Sequence, residues 1–317
     1  MSKINVEVNL KSRSKKIILN EIFVFNIAKS AVKSIINVGS AYPKPGLITP
    51  LDNNALNGTD FETFIDGAMS LFQCFVNCAS IGADTESMKP VDVLTMLKST
   101  AKIGVNDSLR ATRGKISMKG NVFCLGLLCA AAARLIVQKR FLTPPALALT
   151  ASSFVNGILE RELWNLDYNV EGKILSEGEK VYISYGIEGI RGEAEKGFKL
   201  TLNAVESLRK LTATQGQLSL REKLIQTLIA VMAENQDTRI AAHGGIGELM
   251  RIQRESQKIS DLGCMLTTKG IDKLFEFDKN LRSKCLAPDG SAIILTSALL
   301  IRELGNLKLT RSGYDEE

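Results

Sequence analysis

The chain has 317 residues, of which 45% are apolar and only 6% aromatic, and its mean hydropathy is +0.05. That is enough apolar material for one large domain or two small ones, with a core mostly of Leu, Ile, Val and Ala. The net charge of +6 suits small anionic ligands, but the basic residues form no long stripe, which argues against a nucleic-acid-binding surface.

Met1 to Lys16 is basic and polar and lacks the apolar core of a signal peptide. Within it Ile4, Val6, Val8 and Leu10 alternate with polar residues, which predicts one short strand. Helical spacing then dominates. The apolar pattern predicts helices over Ile17–Val38, Phe61–Ala79 and Pro90–Ala101. Asn121–Arg140 is apolar on nearly every side and reads as a buried central helix; Arg134 interrupts it, and it is short for a membrane span. Pro144-Pro145 opens a further helix that runs towards Trp164. Lys173–Ile183 is the one other place for a strand or hairpin. Helices follow at Phe198–Leu211, Leu220–Asn235, Gly245–Gln257, Gly270–Phe277 and Ser291–Leu304. The expected fold is mainly α: a single-domain bundle around the buried helix, spanning residues 17–306, with a basic segment at 1–16 and a polar tail at 307–317.

The six cysteines show no CxxC spacing, and most sit among apolar residues, where a thiol acts as a small hydrophobe. With one histidine in the chain a zinc site is not expected, and the cysteine usage fits a reducing, cytoplasmic setting.

Five segments carry the chemistry. The first is Pro43-Lys-Pro-Gly-Leu-Ile48, a stiff turn that presents Lys44 beside Gly46. The second, Gly114 to Asn121, opens the buried helix with Lys115, Ser117, Lys119 and Gly120; a helix start with added donors suits an anion, although an ordinary capped helix would look the same. It lacks the order of a P-loop. The third is Tyr185-Gly-Ile-Glu-Gly-Ile-Arg-Gly-Glu-Ala-Glu-Lys-Gly-Phe198, where Gly186, Gly189, Gly192 and Gly197 alternate with charges of both signs. The fourth is Asp237-Thr-Arg-Ile-Ala-Ala-His-Gly-Gly245, with His243, Gly244 and Gly245; no GxSxG elbow accompanies it, which excludes acyl hydrolysis of that type. The fifth is Ala287-Pro-Asp-Gly-Ser-Ala292, just before an apolar helix. Most of these set glycine and polar groups at a helix boundary, and a bundle can gather such ends around one phosphorylated ligand with Mg2+ on carboxylates.

In order along the chain, Pro43-Lys-Pro-Gly-Leu-Ile48, Lys119-Gly120, Phe123-Cys-Leu-Gly-Leu-Leu-Cys-Ala130, Arg191-Gly-Glu-Ala194 with Gly197-Phe198, Asp237-Thr238 with Gly244-Gly245, and Gly290-Ser-Ala292 resemble the triphosphoribosyl-dephospho-CoA synthase family. The resemblance runs from about Val38 to Leu300. Departures from the family pattern fall at Thr49, at Ile116-Ser-Met118, at Arg239 and His243, and at Asp289 and Ile293, which marks a divergent member.

The resemblance implies a transferase joining ATP and dephospho-CoA with loss of adenine, which supplies the precursor of an acyl carrier protein prosthetic group. It implies small nucleotide substrates and a link to acyl carrier protein pathways; no nucleic acid or membrane partner is expected, and a homo-oligomer is compatible. Lys44, Lys119, Arg191, His243 and Ser291 are then candidates for the phosphates. Glu193 and Asp237 are candidates for Mg2+ or the general base, and Gly46, Gly120, Gly189, Gly192, Gly244 and Gly245 for the loops. Two alternatives stay open: action on another nucleotide or phosphoribosyl compound, and a non-catalytic nucleotide- or CoA-binding protein.

Overall fold

The structure, a computed structural model, describes residues 22–51, 59–164 and 175–307. The predicted strand at Ile4–Leu10, the start of the first helix and the polar tail beyond residue 307 lie outside the described residues. Among the described residues the protein is helical, with no strand or sheet.

Thirteen α-helices follow one another among these residues. They are α1 (Ile22–Gly39), α2 (Phe61–Ser70), α3 (Phe72–Asp84), α4 (Pro90–Ala111), α5 (Lys119–Val137), α6 (Pro144–Phe154), α7 (Glu177–Tyr185), α8 (Gly189–Glu195), α9 (Lys199–Thr214), α10 (Leu220–Glu234), α11 (Thr238–Asp261), α12 (Thr268–Ser283) and α13 (Asp289–Gly305). Local signals explain many of the starts. Thr143 caps α6 through the Ala146 N–H, with Pro144 in the first turn. Ser219 and Glu222 form a reciprocal capping box on α10.

The structure corrects four sequence expectations. The long helix predicted from Phe61 divides at Leu71, whose N–H turns back to the Ala68 and Met69 carbonyls. The short helix predicted at Pro90 runs on to Ala111, because Gly104 lets it lie against Cys74 and bury Ser108. The helix expected to reach Trp164 ends at Phe154 and is followed by a π-helical turn, Glu160–Trp164. The possible strand at Lys173–Ile183 is helix α7 over its described part. Its signal was Ser176-x-x-Glu179, which forms a complete capping box.

By length and composition, three stretches among the described residues could cross a membrane: Ile22–Gly39, Phe61–Asp84 and Lys119–Val137. In the last of these the apolar surface is used up by packing, since every residue from Cys124 to Leu135 is buried. Helices α3 and α5 cross so closely that a methyl group on Gly82 would lie 2.0 Å from the Ala130 carbonyl oxygen.

The core forms two apolar clusters. The first surrounds α5 and draws on α1, α3 and α6; the second gathers α10, α11 and α12. Helix α13 belongs to both, giving Ile294, Ala298 and Ile301 to the first and Leu295 and Leu299 to the second. Its N-terminus therefore opens at the seam between the two, and the glycine-rich segments gather there.

Candidate functional site

Helix α13 begins after Pro288, which has no side chain to cap it. The cap comes from 54 residues away in the chain: Asp237 Oδ2 accepts the Ser291 N–H (2.8 Å) and the Ser291 hydroxyl (3.0 Å). The same carboxylate caps its own helix, α11, where Oδ1 accepts the Arg239 N–H (3.1 Å) and the Ile240 N–H (3.4 Å). Asn235 Nδ2 adds a fifth donor at 3.4 Å. Asp237 is 3% exposed. Burial raises its pKa, and the bonds from Ser291, Ile240 and Arg239 oppose that rise.

From this junction, contacts between small residues close a ring. A methyl group on Gly189, at the start of α8, would lie 2.4 Å from Thr238 Oγ1. One on Gly120, at the start of α5, would lie 2.2 Å from Ile293 of α13 and 3.4 Å from Ile190 of α8. The circuit runs α5, α13, α11, α8 and back to α5. Gly189 has φ +58°, a backbone geometry that side chains disfavour, so both conformation and space call for glycine there. Helix α7 joins the ring through Gly178, whose added methyl would sit 3.5 Å from Arg191 Nη1, and through Glu177, whose Oε1 lies 3.2 Å from His243 Nε2. Helix α11 breaks at Gly245 (φ 72°, ψ 176°), where the sequence placed a helix start. Gly244 beside it packs on Glu248 and Leu286.

The candidate side chains divide by where they point. Lys119 is exposed in the first turn of α5 and makes no ion pair or side-chain hydrogen bond among the described residues. No side chain caps that helix start, and Asn121 Oδ1 is buried there without a hydrogen-bond partner. Arg191 is held through Nε by Glu162 Oε2 at 2.8 Å. His243 is exposed and faces Glu177. Ser291 is fully buried, with its hydroxyl turned to Asp237. Glu193 Oε1 accepts both the N–H (2.7 Å) and the hydroxyl (2.9 Å) of Thr201, and so caps α9, whose own N-cap is Phe198. Gly192 packs on Glu188 within the same turn.

Lys44 turns inward. It is 4% exposed, and its Nζ donates to the carbonyls of Val38 (2.7 Å) and Gly39 (2.9 Å) in the last turn of α1. Its loop is fastened to α12, where Asp278 accepts the Gly46 N–H at 2.8 Å and Arg282 donates to the Leu47 carbonyl at 2.9 Å. Burial first, and the charge of Arg282 second, lower the Lys44 pKa to about 7, with Asp289 opposing. The unfolded chain therefore holds this proton up to about pH 10.5, while the folded protein releases it near pH 7. Between those values the unfolded state binds more protons, so this residue's contribution to stability rises with pH. Urea unfolding should show the stability difference, wild type minus Lys44→Met, growing by up to about 1.4 kcal/mol per unit from pH 7 to pH 9. A pH-independent difference would contradict this account.

One carboxylate at the seam was not among the candidates. Asp289, first residue of α13, keeps 47% of its side-chain surface open and pairs with Arg239 Nε at 3.0 Å. Its pKa is raised to about 6, first by desolvation in a crowded recess and then by the charges of Asp237 and Glu177, against the pull of Arg239 and Lys44. Solvent contact limits the desolvation share, and the two neighbouring carboxylates act in the same direction. In the sequence, Asp289 resembles any acidic first-turn residue; only the fold surrounds it with four charged groups. A separate groove between the start of α4 and the C-terminal half of α6, lined by Lys89, Val91, Leu149, Ser153 and Asn156 among others, shares none of these side chains.

The family model for CitG, ATP:dephospho-CoA triphosphoribosyl transferase, matches residues 25–312. No solved structure matches the chain. The match covers most of the sequence, and the chain belongs to this transferase family, whose substrates are ATP and dephospho-CoA.

Proposed function

We propose that this family member transfers the triphosphoribosyl group of ATP to the ribose 2′-hydroxyl of dephospho-CoA at the seam ringed by α5, α8, α11 and α13. The observation that carries this reading is the closed ring of contacts, which leaves the Asp289 carboxylate half-open beside Arg239. In the reaction the 2′-oxygen forms a bond to the anomeric carbon of ATP as the bond from that carbon to adenine breaks. The electron pair of the broken bond leaves with adenine. The hydroxyl loses a proton and adenine gains one, so a single group of pKa near 6 can accept the first and return it. Asp289, a departure from the family pattern, is proposed for that task in this divergent member. The sugar passes through an oxocarbenium-like state, which a nearby carboxylate also stabilises.

The triphosphate is proposed to lie between Lys119 at the uncapped start of α5 and the terminal amino groups of Arg191. A helix start offers free N–H groups and partial positive charge, and arginine can bind phosphate oxygens in pairs. His243, exposed beside Glu177, is proposed to border this phosphate path. Asp237, Glu193, Ser291 and Lys44 stand behind the reacting groups as the fixtures that hold the helix ends.

The pair expected to ligate Mg2+ does not fit that ion. Asp237 is buried under five donors, Glu193 has an oxygen committed to Thr201, and no group of three or more His, Cys, Asp or Glu gathers among the described residues. Mg2+ is proposed to arrive on the triphosphate itself, as it usually binds through phosphate oxygens and water. The product is proposed to serve an acyl carrier protein, and the setting is proposed to be cytoplasmic.

The test is direct. Purified protein with MgATP and dephospho-CoA should release free adenine in equal amount to the dephospho-CoA consumed. Absence of adenine, where another active family member releases it, would refute the assignment.

A further inference from the structure

The turn that follows α6 is clamped to α8 at two points one helical turn apart. Arg191 and Glu195 are four residues apart, so they share a face of that helix. At the lower point the Glu195 carboxylate accepts the backbone N–H groups of Gly157 and Leu159, the latter at 2.9 Å, and the Ser152 hydroxyl donates to the Glu195 carbonyl at 2.8 Å. At the upper point Glu162 Oε2 accepts Arg191 Nε at 2.8 Å. Between them Ile158, Leu159 and Leu163 are buried at 1%, 3% and 1% exposure, which fixes the turn in register. The turn is π-helical over Glu160–Trp164, a conformation that is frequent at functional sites.

The other oxygen of Glu162 is taken by Lys98 of α4 at 2.5 Å. Glu162 is thus held from both sides, and it stays ionised: burial would raise its pKa, but Lys98 and Arg191 together bring it below the ordinary value. Glu162 is 26% exposed and Arg191 22%, so this pair is less screened than a typical surface pair. The contact uses Nε alone. Both terminal amino groups of Arg191 are left without a hydrogen bond among the described residues, and Nη1 faces Gly178 at the start of α7.

We infer that Glu162 is a positioning residue for the triphosphate: by holding Arg191 at Nε it presets the two terminal amino groups for phosphate oxygens. This rests on the proposed phosphate role of Arg191. A guanidinium fixed before binding loses less freedom on meeting phosphate than a mobile one. Glu162 is then required only while Arg191 is present.

A double-mutant cycle tests this, with the ATP dissociation constant measured by calorimetry on the full chain, so that the result does not depend on turnover. Glu162→Ala should weaken ATP binding by about 10-fold, and Glu162→Gln, which keeps an acceptor for Nε, by less. Arg191→Ala should weaken it at least as much as Glu162→Ala does. In the Arg191→Ala background, Glu162→Ala should then change nothing further. A merely structural glutamate would instead lower affinity by the same factor in both backgrounds, and that result overturns the inference. So does unchanged affinity in Glu162→Ala or in Arg191→Ala. Binding of ATP with the expected cycle but no adenine release would leave the inference standing while removing the transferase reading.

Discussion

Replacing Asp289 with asparagine should lower the rate of adenine release by about 10²- to 10⁴-fold while ATP still binds. Asparagine keeps the size and hydrogen-bonding shape of the side chain but cannot take the proton of the attacking hydroxyl. The wild-type enzyme should also lose activity in acid. With its pKa raised to about 6, the carboxyl is protonated below that value and cannot act as a base. The rate should fall by roughly tenfold per unit below pH 6, and the asparagine variant should lack this limb. Stability provides the control. A raised carboxyl pKa means that the fold disfavours the charged form, so the stability contribution of Asp289 is lost as pH rises from near 4 towards 6. Relieving that charge at pH 7 opposes the loss of the Arg239 pair, so the variant should fold. A folded asparagine variant with wild-type turnover, or with the acid limb intact, would remove Asp289 from the chemistry.

Asp237→Ala should have its main effect on the fold. The substitution strips acceptors from the Ser291, Arg239 and Ile240 N–H groups, from the Ser291 hydroxyl and from Asn235. A buried donor left without a partner costs about 1–3 kcal/mol, so a total loss of about 3 kcal/mol or more is expected. For a chain of this size that corresponds to a fall in Tm of roughly 4–5 °C or more. The N-terminus of α13 would loosen first, since its own N-cap residue, Pro288, makes no side-chain cap. Asp237→Asn should lose less, because its amide oxygen can still accept at one end. If the alanine variant keeps its Tm but loses turnover, Asp237 is a reacting group and the structural role given to it here is wrong.

The contrast between these two aspartates shows what could be read in advance. Helix positions follow from contacts three and four residues apart, so the buried character of α5 and the apolar stripe of α10 were legible, whereas Gly245 was read as a helix start and not as a break within α11. The capping box that starts α7 was equally local, and it was missed because the segment around it is short. The glycine-rich segments also marked the region: contacts of Gly120 and Gly189 join α5, α8, α11 and α13. The family could be recognised for a related reason, since the spacing of such motifs along the chain survives substitution at individual positions.

What the sequence determined by itself was therefore the helical class, most of the helices, the family and the segments that line the seam. The tertiary structure alone decided which carboxylates are committed to helix ends and which stay open. Asp237 and Glu193 look reactive because acidic residues among glycines suit a ligand. Asp237 is engaged by Ser291, 54 residues away, and one oxygen of Glu193 by Thr201, at the starts of helices whose own N-cap residues, Pro288 and Phe198, make no side-chain cap. Asp289 looks like routine helix chemistry until Arg239, Lys44, Glu177 and Asp237 surround it. A carboxylate's type is written in the chain, but its free lone pairs and its proton affinity depend on neighbours brought from other helices, and those are known only once the chain has folded.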